Sequence, residues 1–261
     1  MMLSKLRVVW TVFYLYLKQI AIDGFIIFTV IIQPLLVALL AIYMLRDIEG
    51  FQAIYVIVGS ALTGLWSGTL FFNSFNIQGE RWSGCLENII GSPTRLQTVV
   101  LGKVLANLII SVSSMFFSYP IAVLLFKFRL TIAHPFLFSI SLVMTIIALM
   151  SLGLVIAPIF SLNPGNIMWV NAFEFPMYIL GGFLFPILLL PGWTTPISYI
   201  LSPYWAARAL HITSSGSTSL SDVLIYWGLI IFLSLIYLFV SSWLFRVLLW
   251  RAKEKATLGL Q

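Results

Sequence analysis

From Leu130 to Phe173 the chain carries no Asp, Glu, Lys or Arg, and the run from Gly50 to Gly79 is equally free of charge. Crossing the ~30 Å hydrocarbon core of a bilayer takes roughly 20 apolar helical residues. Helices are the form such runs take in lipid, because a helix satisfies each backbone N–H and C=O within its own segment. These runs therefore restrict the chain to a polytopic α-helical membrane protein. Composition agrees: 61% of residues are hydrophobic and 8% charged, against about 25% charged in a soluble domain. So much apolar surface requires lipid as its solvent.

Six stretches are long and apolar enough to span: Gly24–Leu45, Gly50–Gly79, Val104–Phe126, Pro135–Phe160, Ile167–Leu190 and Val223–Phe245. The long uncharged run divides at Asn163-Pro164-Gly165-Asn166, a turn signal in which Pro fixes φ and Gly accepts positive φ. Pro191-Gly192 stops the fifth span. The expected fold is all-α, a single transmembrane domain over residues 1–261 with six transmembrane helices. Residues 1–23 form an amphipathic interfacial helix and 24–190 hold spans one to five with a loop at 79–95. Residues 191–221 form an outer re-entrant hairpin, and 222–261 hold the sixth span and a cytoplasmic tail. In the first segment Ser4, Arg7, Thr11, Tyr14 and Lys18 recur every three or four residues, a polar stripe suited to the headgroup plane. In the hairpin the apolar piece Ile197–Leu210 is too short to cross and is interrupted by Pro203 and Arg208. No small-residue cleavage pattern follows the first apolar run, so no removable signal peptide is expected.

Ten of the basic residues fall in the terminal segments and the second–third loop and four on the opposite side. The positive-inside rule then places both termini in the cytoplasm of a cell-membrane protein. The formal net charge of +6 does not mark a nucleic-acid binder, because the basic residues sit singly between apolar runs with no stripe for phosphates to follow.

Candidate chemistry is sparse. His134 and His211 have no His, Asp or Glu at ligand spacing, and Cys85 is the only cysteine, so no metal site and no catalytic residue is expected. Leu101-Gly102-Lys103-Val104 lacks the upstream Gly and the following Ser/Thr of a Walker A loop, so ATP hydrolysis is not expected of this chain. Glu174 falls about two turns inside the fifth span, where a carboxylate costs about 2.5–3.5 kcal/mol to insert. Asn171 lies one turn earlier on the same face, and Gln33-Pro34 places an amide in the first span. Glu174 is read either as a hydrogen-bonded packing residue or, with Gln33 and Asn171, as part of a substrate pathway. Ser60, Gly64 and Gly68 form a small-residue row for close helix packing.

The second–third loop reads Gly79-Glu80-Arg81-Trp82-Ser83-Gly84-Cys85-Leu86-Glu87-Asn88-Ile89-Ile90-Gly91-Ser92-Pro93. Leu86, Ile89 and Ile90 make one apolar face of a short helix ended by Pro93, suited to a groove on a partner or to lying flat on lipid. Glu80 and Glu87 bracket that face and are available to a partner's basic residues.

Glu80, Arg81, Gly84, Leu86, Glu87 and Pro93, with Gly102-Lys103 some nine residues later, resemble the pattern of permease subunits of type-2 ATP-binding-cassette (ABC) exporters. A second block resembles their fifth-span end and outer hairpin: Gly181-Gly182-Phe183-Leu184-Phe185-Pro186, Leu190-Pro191-Gly192-Trp193, Ser202-Pro203 and Arg208. The resemblance implies a pathway built by two permease subunits, identical or closely paralogous, within the membrane lipid. Two cytoplasmic ABC ATPase copies, binding ATP and Mg, would drive it through a coupling helix that includes Glu80, Arg81, Gly84, Leu86, Glu87, Ile90 and Pro93. No cofactor is expected on this chain, and the cargo would be a drug, antibiotic, lipid or lipid-linked glycan. Two other readings compete. An ion- or proton-coupled secondary transporter would use Glu174 as its proton site, but no internal repeat supports it. A membrane-embedded lipid-modifying enzyme lacks a catalytic cluster.

Overall fold

The computed structural model describes residues 2–20, 24, 28–45, 53–126, 132–162, 167–216 and 219–254. Helix is the only regular structure among them, with no strand. We label the helices α1 (Met2–Ile20), α2 (Gln33–Leu45, preceded by a π-helical turn Phe28–Ile32), α3 (Ala53–Trp82), α4 (Leu86–Gly91) and α5 (Leu96–Phe126). They continue with α6 (Pro135–Leu162), α7 (Ile167–Leu180), α8 (Thr195–Ile200), α9 (Ser202–Ser215) and α10 (Leu220–Glu254). The turn Asn163-Pro164-Gly165-Asn166, the connection at residues 127–131 and the tail beyond Glu254 lie outside the described residues.

Among the described residues four helices are long and apolar enough to cross a membrane: α3, α5, α6 and α10. The central one is α3, with 89% of its apolar window buried, whereas the same measure for α10 is 17%. Leu65, Leu70 and Ile77 of α3 pack with Val104 and Leu108 of α5, Leu149 and Leu154 of α6, and Leu210 of α9. A central helix this polar stays helical because its hydroxyls bond its own backbone: Ser60 donates to Ile57 O, Thr63 to Ser60 O, Ser67 to Thr63 O and Thr69 to Leu65 O. At the periphery α10 packs on α6, where Ser241 Oγ donates to Leu154 O at 2.9 Å.

The fifth helix differs from expectation. It ends at Leu180 rather than Leu190, and 14 residues rise only about 21 Å, short of the hydrocarbon core. The cause is Gly181-Gly182, not Pro191-Gly192. Gly182 takes φ +61, its N–H donates to Ile179 O at 3.1 Å, and the Phe183 N–H donates to Tyr178 O at 3.3 Å. Those two bonds close the last turn as a Schellman ending, for which a left-handed glycine is the favoured residue. In α5 the helix starts eight residues before the expected Val104, so Lys103 lies within a helix rather than flanking one.

The amphipathic start is helical as its stripe predicts. Val8, Val9, Val12, Phe13, Tyr16 and Leu17 are half-buried where α1 lies along α5, while Arg7, Thr11, Tyr14 and Lys18 are exposed. The hairpin region forms two helices broken at Leu201, and α9 is wedged against α3, α6 and α10 by the small residues Ala206, Ala207 and Ala209. Because α3 runs from Tyr55, stacked on His211 of α9, to Glu80, beside α5's start, the hairpin and the 79–95 loop occupy opposite ends of the bundle.

Candidate functional site along α3

The loop after α3 is shaped by two residues that constrain backbone. Gly84 sits at φ +70, turning the chain so that the Cys85 N–H donates to Glu80 O at 3.0 Å. Pro93 holds Ser92 extended (ψ 156), which ends α4 at Gly91. Between these turns Leu86 is buried in the main core, with Ile89 and Ile90 packed against it, and Glu87 and Asn88 face outward. The apolar face is therefore turned onto the chain's own bundle, correcting the expectation that it seats in a partner's groove or on lipid. Burying a leucine is worth about 1.5–3 kcal/mol, and the nearest apolar surface is the floor formed by α3, α5 and α10. The face left for a partner is polar.

Glu80 is also committed within the chain. It forms an ion pair with Lys103, whose Nζ also donates to Asn76 O at 3.2 Å and lies 4.8 Å above the Tyr16 ring of α1. The expectation that Glu80 meets a partner's basic residue gives way here to an internal bond. A lysine is tolerated inside the helical bundle when it is paired and hydrogen-bonded in this way. Beside it, a Cβ on Gly102 would come within 2.8 Å of Val9 O and 3.0 Å of Val12, so glycine is what allows α1 to lie so close to α5. Arg81 is half-buried, and its Nε has no hydrogen-bond partner among the described residues. The Gly102-Lys103 pair thus joins α1, α3 and α5 at one point.

Glu174 lies half-way along the bundle and is 3% exposed. Its Oε1 accepts from Gln33 Nε2 at 2.7 Å, Ser67 Oγ at 2.7 Å and Tyr178 OH at 2.6 Å. Gln33 Nε2 also donates to Tyr178 OH at 3.2 Å, and the two hydroxyls lie 2.5 Å apart. Three side chains, one each from α2, α3 and α7, therefore converge on one carboxylate oxygen. Gln33 and Glu174 were both legible in the sequence and are brought together. Asn171 lies exposed on α7. Ser67 and Tyr178 were missed; the available signal was Tyr178 at i+4 from Glu174, on the same helical face.

Between these two joints α3 carries Asn73 and Asn76, both buried. Asn73 Oδ1 accepts from Asn76 Nδ2 at 2.8 Å and from Asn107 Nδ2 of α5 at 2.9 Å. Polar groups thus continue along α3 from Ser67 to Glu80. Hydrogen-bonded polar networks of this kind specify one packing of the helices they join.

The family model described as ABC-2 type transporter matches residues 7–215, from the first turns of α1 to the last residue of α9. The chain belongs to that family. A search of curated proteins found no match. As an ABC-2 exporter permease it is a multi-pass membrane transport subunit and not itself the ATPase, which accounts for the missing Walker A loop.

At the hairpin end of the permease a second set of contacts fixes α7. The Phe183 carbonyl lies against Gly59, where a side chain on α3 would collide with it, and it accepts from His211 Nε2 at 2.9 Å. His211 stacks on Tyr55 with ring centroids 3.6 Å apart. Burial pushes the imidazole down to about 3 from 6.5, so it is neutral with its proton on Nε2, the nitrogen facing the carbonyl. His211 is therefore a buried clamp; His134 is exposed. Of the other hairpin residues, Pro203 is buried, while Pro186, Pro191 and Trp193 are exposed. Arg208 donates to Tyr204 OH at 3.1 Å and lies 5.3 Å from the Tyr226 ring centre. In the small-residue row, Gly68 meets Ser111 of α5, while Ser60 and Gly64 are buried.

Proposed function

We propose that this permease forms the cargo pathway of an ABC-2 exporter as one of two membrane subunits, identical or closely paralogous. Two cytoplasmic ABC ATPase copies, carrying ATP and Mg, drive it by pushing on the segment from Glu80 to Pro93. Both termini lie in the cytoplasm of the cell membrane, on the ten-to-four distribution of basic residues. The observation that carries the reading is the Glu80–Lys103 ion pair. An outside force can act on the bundle only through contacts that differ between the partner's states. Glu87 and Asn88 offer such contacts, Leu86 anchors the loop beneath them, and Glu80–Lys103 passes displacement to α3, α5 and α1. The exposed face of α7, with Asn171, Phe173 and Phe175, lines the pathway between subunits, backed by Gln33 and Glu174. Its aromatic surface suits an amphipathic cargo: a drug, an antibiotic, a lipid or a lipid-linked glycan.

The test is co-expression with the Walker A protein of a neighbouring reading frame, followed by co-purification and a screen for compounds that raise ATP turnover. Glu87→Lys and Asn88→Arg leave insertion intact and abolish both ATPase capture and transport. Full transport in both variants refutes the loop as the coupling element. Leu86 is unsuited to this test, because it is buried and its replacement perturbs folding.

A further inference from the structure

The turn from α4 into α5 and the far end of α10 enclose a cavity of about 540 Å³. Its walls are apolar at Ile90, Leu96, Phe245 and Leu249, and its polar part holds Arg95 and Arg246. A hydrogen bond from Gln97 Nε2 to Ser242 Oγ, 3.2 Å long, ties the two sides together. No Asp or Glu lines the cavity, and neither guanidinium is paired with a carboxylate among the described residues. Arg95, from the turn, and Arg246, from α10, are both exposed and line the same cavity, so one anion can reach both guanidinium groups. Guanidinium matches phosphate geometry, and the start of α5 adds the positive end of its dipole.

We propose that this cavity binds the phosphate headgroup of an anionic membrane phospholipid, with its acyl chains lying along α10. The remaining wall favours a lipid over a free anion or a protein. Among the four long helices α10 is the least buried, and Phe239, Trp243 and Trp250 are exposed along it. An amphipathic molecule can thus place its charge between the arginines and keep its chains against an apolar helix. Basic pockets between helices at the membrane edge take lipid headgroups in this manner. The family match ends at residue 215, so half of this site is supplied by a helix outside it.

The experiment uses the full chain alone, delipidated in neutral detergent, so it does not depend on an ATPase partner. Tryptophan fluorescence is titrated with dihexanoyl phosphatidylglycerol, dihexanoyl phosphatidylcholine and inorganic phosphate. Saturable binding of the phosphatidylglycerol is expected, weakened about fivefold in each of Arg95→Gln and Arg246→Gln, the equivalent of about 1 kcal/mol per cation. Arg246→Lys keeps the charge and most of the affinity, and Arg251→Gln, beyond the cavity, changes nothing. Equal binding of phosphatidylcholine, or inorganic phosphate binding as tightly as the lipid, overturns the proposal. So does lipid affinity unchanged in both glutamine variants. If those variants keep the lipid and, in the separate co-purification described above, lose capture of the ATPase, the cavity is a protein dock and the lipid assignment fails.

Discussion

Replacing Glu80 by Gln tests whether the Glu80–Lys103 joint holds the permease together. Lys103 is 7% exposed, and the Glu80 side chain retains 23% of its surface. Removing one partner of a fully buried pair costs about 3–5 kcal/mol, because the other charge is left without compensation. Here Asn76 O and the Tyr16 ring still face the ammonium, and water reaches the Glu80 side, so about 2–3 kcal/mol is expected for Glu80→Gln. Lys103→Met should cost less, about 1–2 kcal/mol, since the freed carboxylate can be hydrated. The double variant leaves no charge stranded and should fall short of the sum of the singles by at least about 1 kcal/mol. Denaturant unfolding of the purified permease in detergent, followed by tryptophan fluorescence, gives all four corners of the cycle. A loss below about 0.5 kcal/mol in Glu80→Gln, or additive single effects, would show that the pair is a surface contact and that force does not pass through it.

Glu174→Leu leaves the donors of Gln33, Ser67 and Tyr178 without their acceptor and should cost about 2–4 kcal/mol in the same assay, against about 1 kcal/mol for Glu174→Gln, which keeps an acceptor oxygen. Gly102→Leu places a side chain against Val9 O, so α1 should lift from α5, and tryptic cleavage at the exposed Lys18 should accelerate. His211 has a folded pKa near 3 and an unfolded value of 6.5. Between those values the unfolded chain takes up a proton that the folded chain refuses. Its contribution is therefore complete above pH 6.5 and is lost as pH falls towards 3, by up to about 1.4 kcal/mol per pH unit. Melting temperatures from pH 7.5 to 4.5 should fall in the parent and fall less in His211→Gln. For orientation, Cys85 is exposed on the loop and should react with an impermeant maleimide only when the cytoplasmic face is open. In Cys85→Ser, a cysteine replacing Ser219 should react from outside; the reverse pattern overturns the orientation.

The sequence revealed helices wherever apolar length decided the matter, since α6 and α10 each contain the run expected of them and α3 covers the described part of its own. It misplaced the end of α7, because two turn signals compete there and only tertiary contacts choose. Gly181-Gly182 prevails over Pro191-Gly192 since Phe183 must bring its carbonyl to His211 and Gly59. The role of Lys103 was hidden because a basic residue before an apolar run reads as a flank. Only the position of Glu80, across the loop, reveals it as the buried half of a pair. Gln33 and Glu174 stood out as isolated polar groups in apolar runs. Ser67 did not, since an α3 already rich in hydroxyls gives no single one prominence. The direction of α4's apolar face was equally open, because an amphipathic pattern states that one side is buried and not against what.

That α4 spends its apolar side on its own bundle bears on how pairings between permeases and ATPases diversify. Leu86, Ile89 and Ile90 are packed into the bundle, and on the coupling proposed above recognition would fall to Glu87, Asn88 and the exposed turn around Gly84. The two demands fall on different residues, so substitutions that change which ATPase is accepted need not unsettle the helices beneath. A duplicated copy of this permease could thus acquire a new motor through a few polar exchanges at one loop, with its pathway and its cargo left as they were.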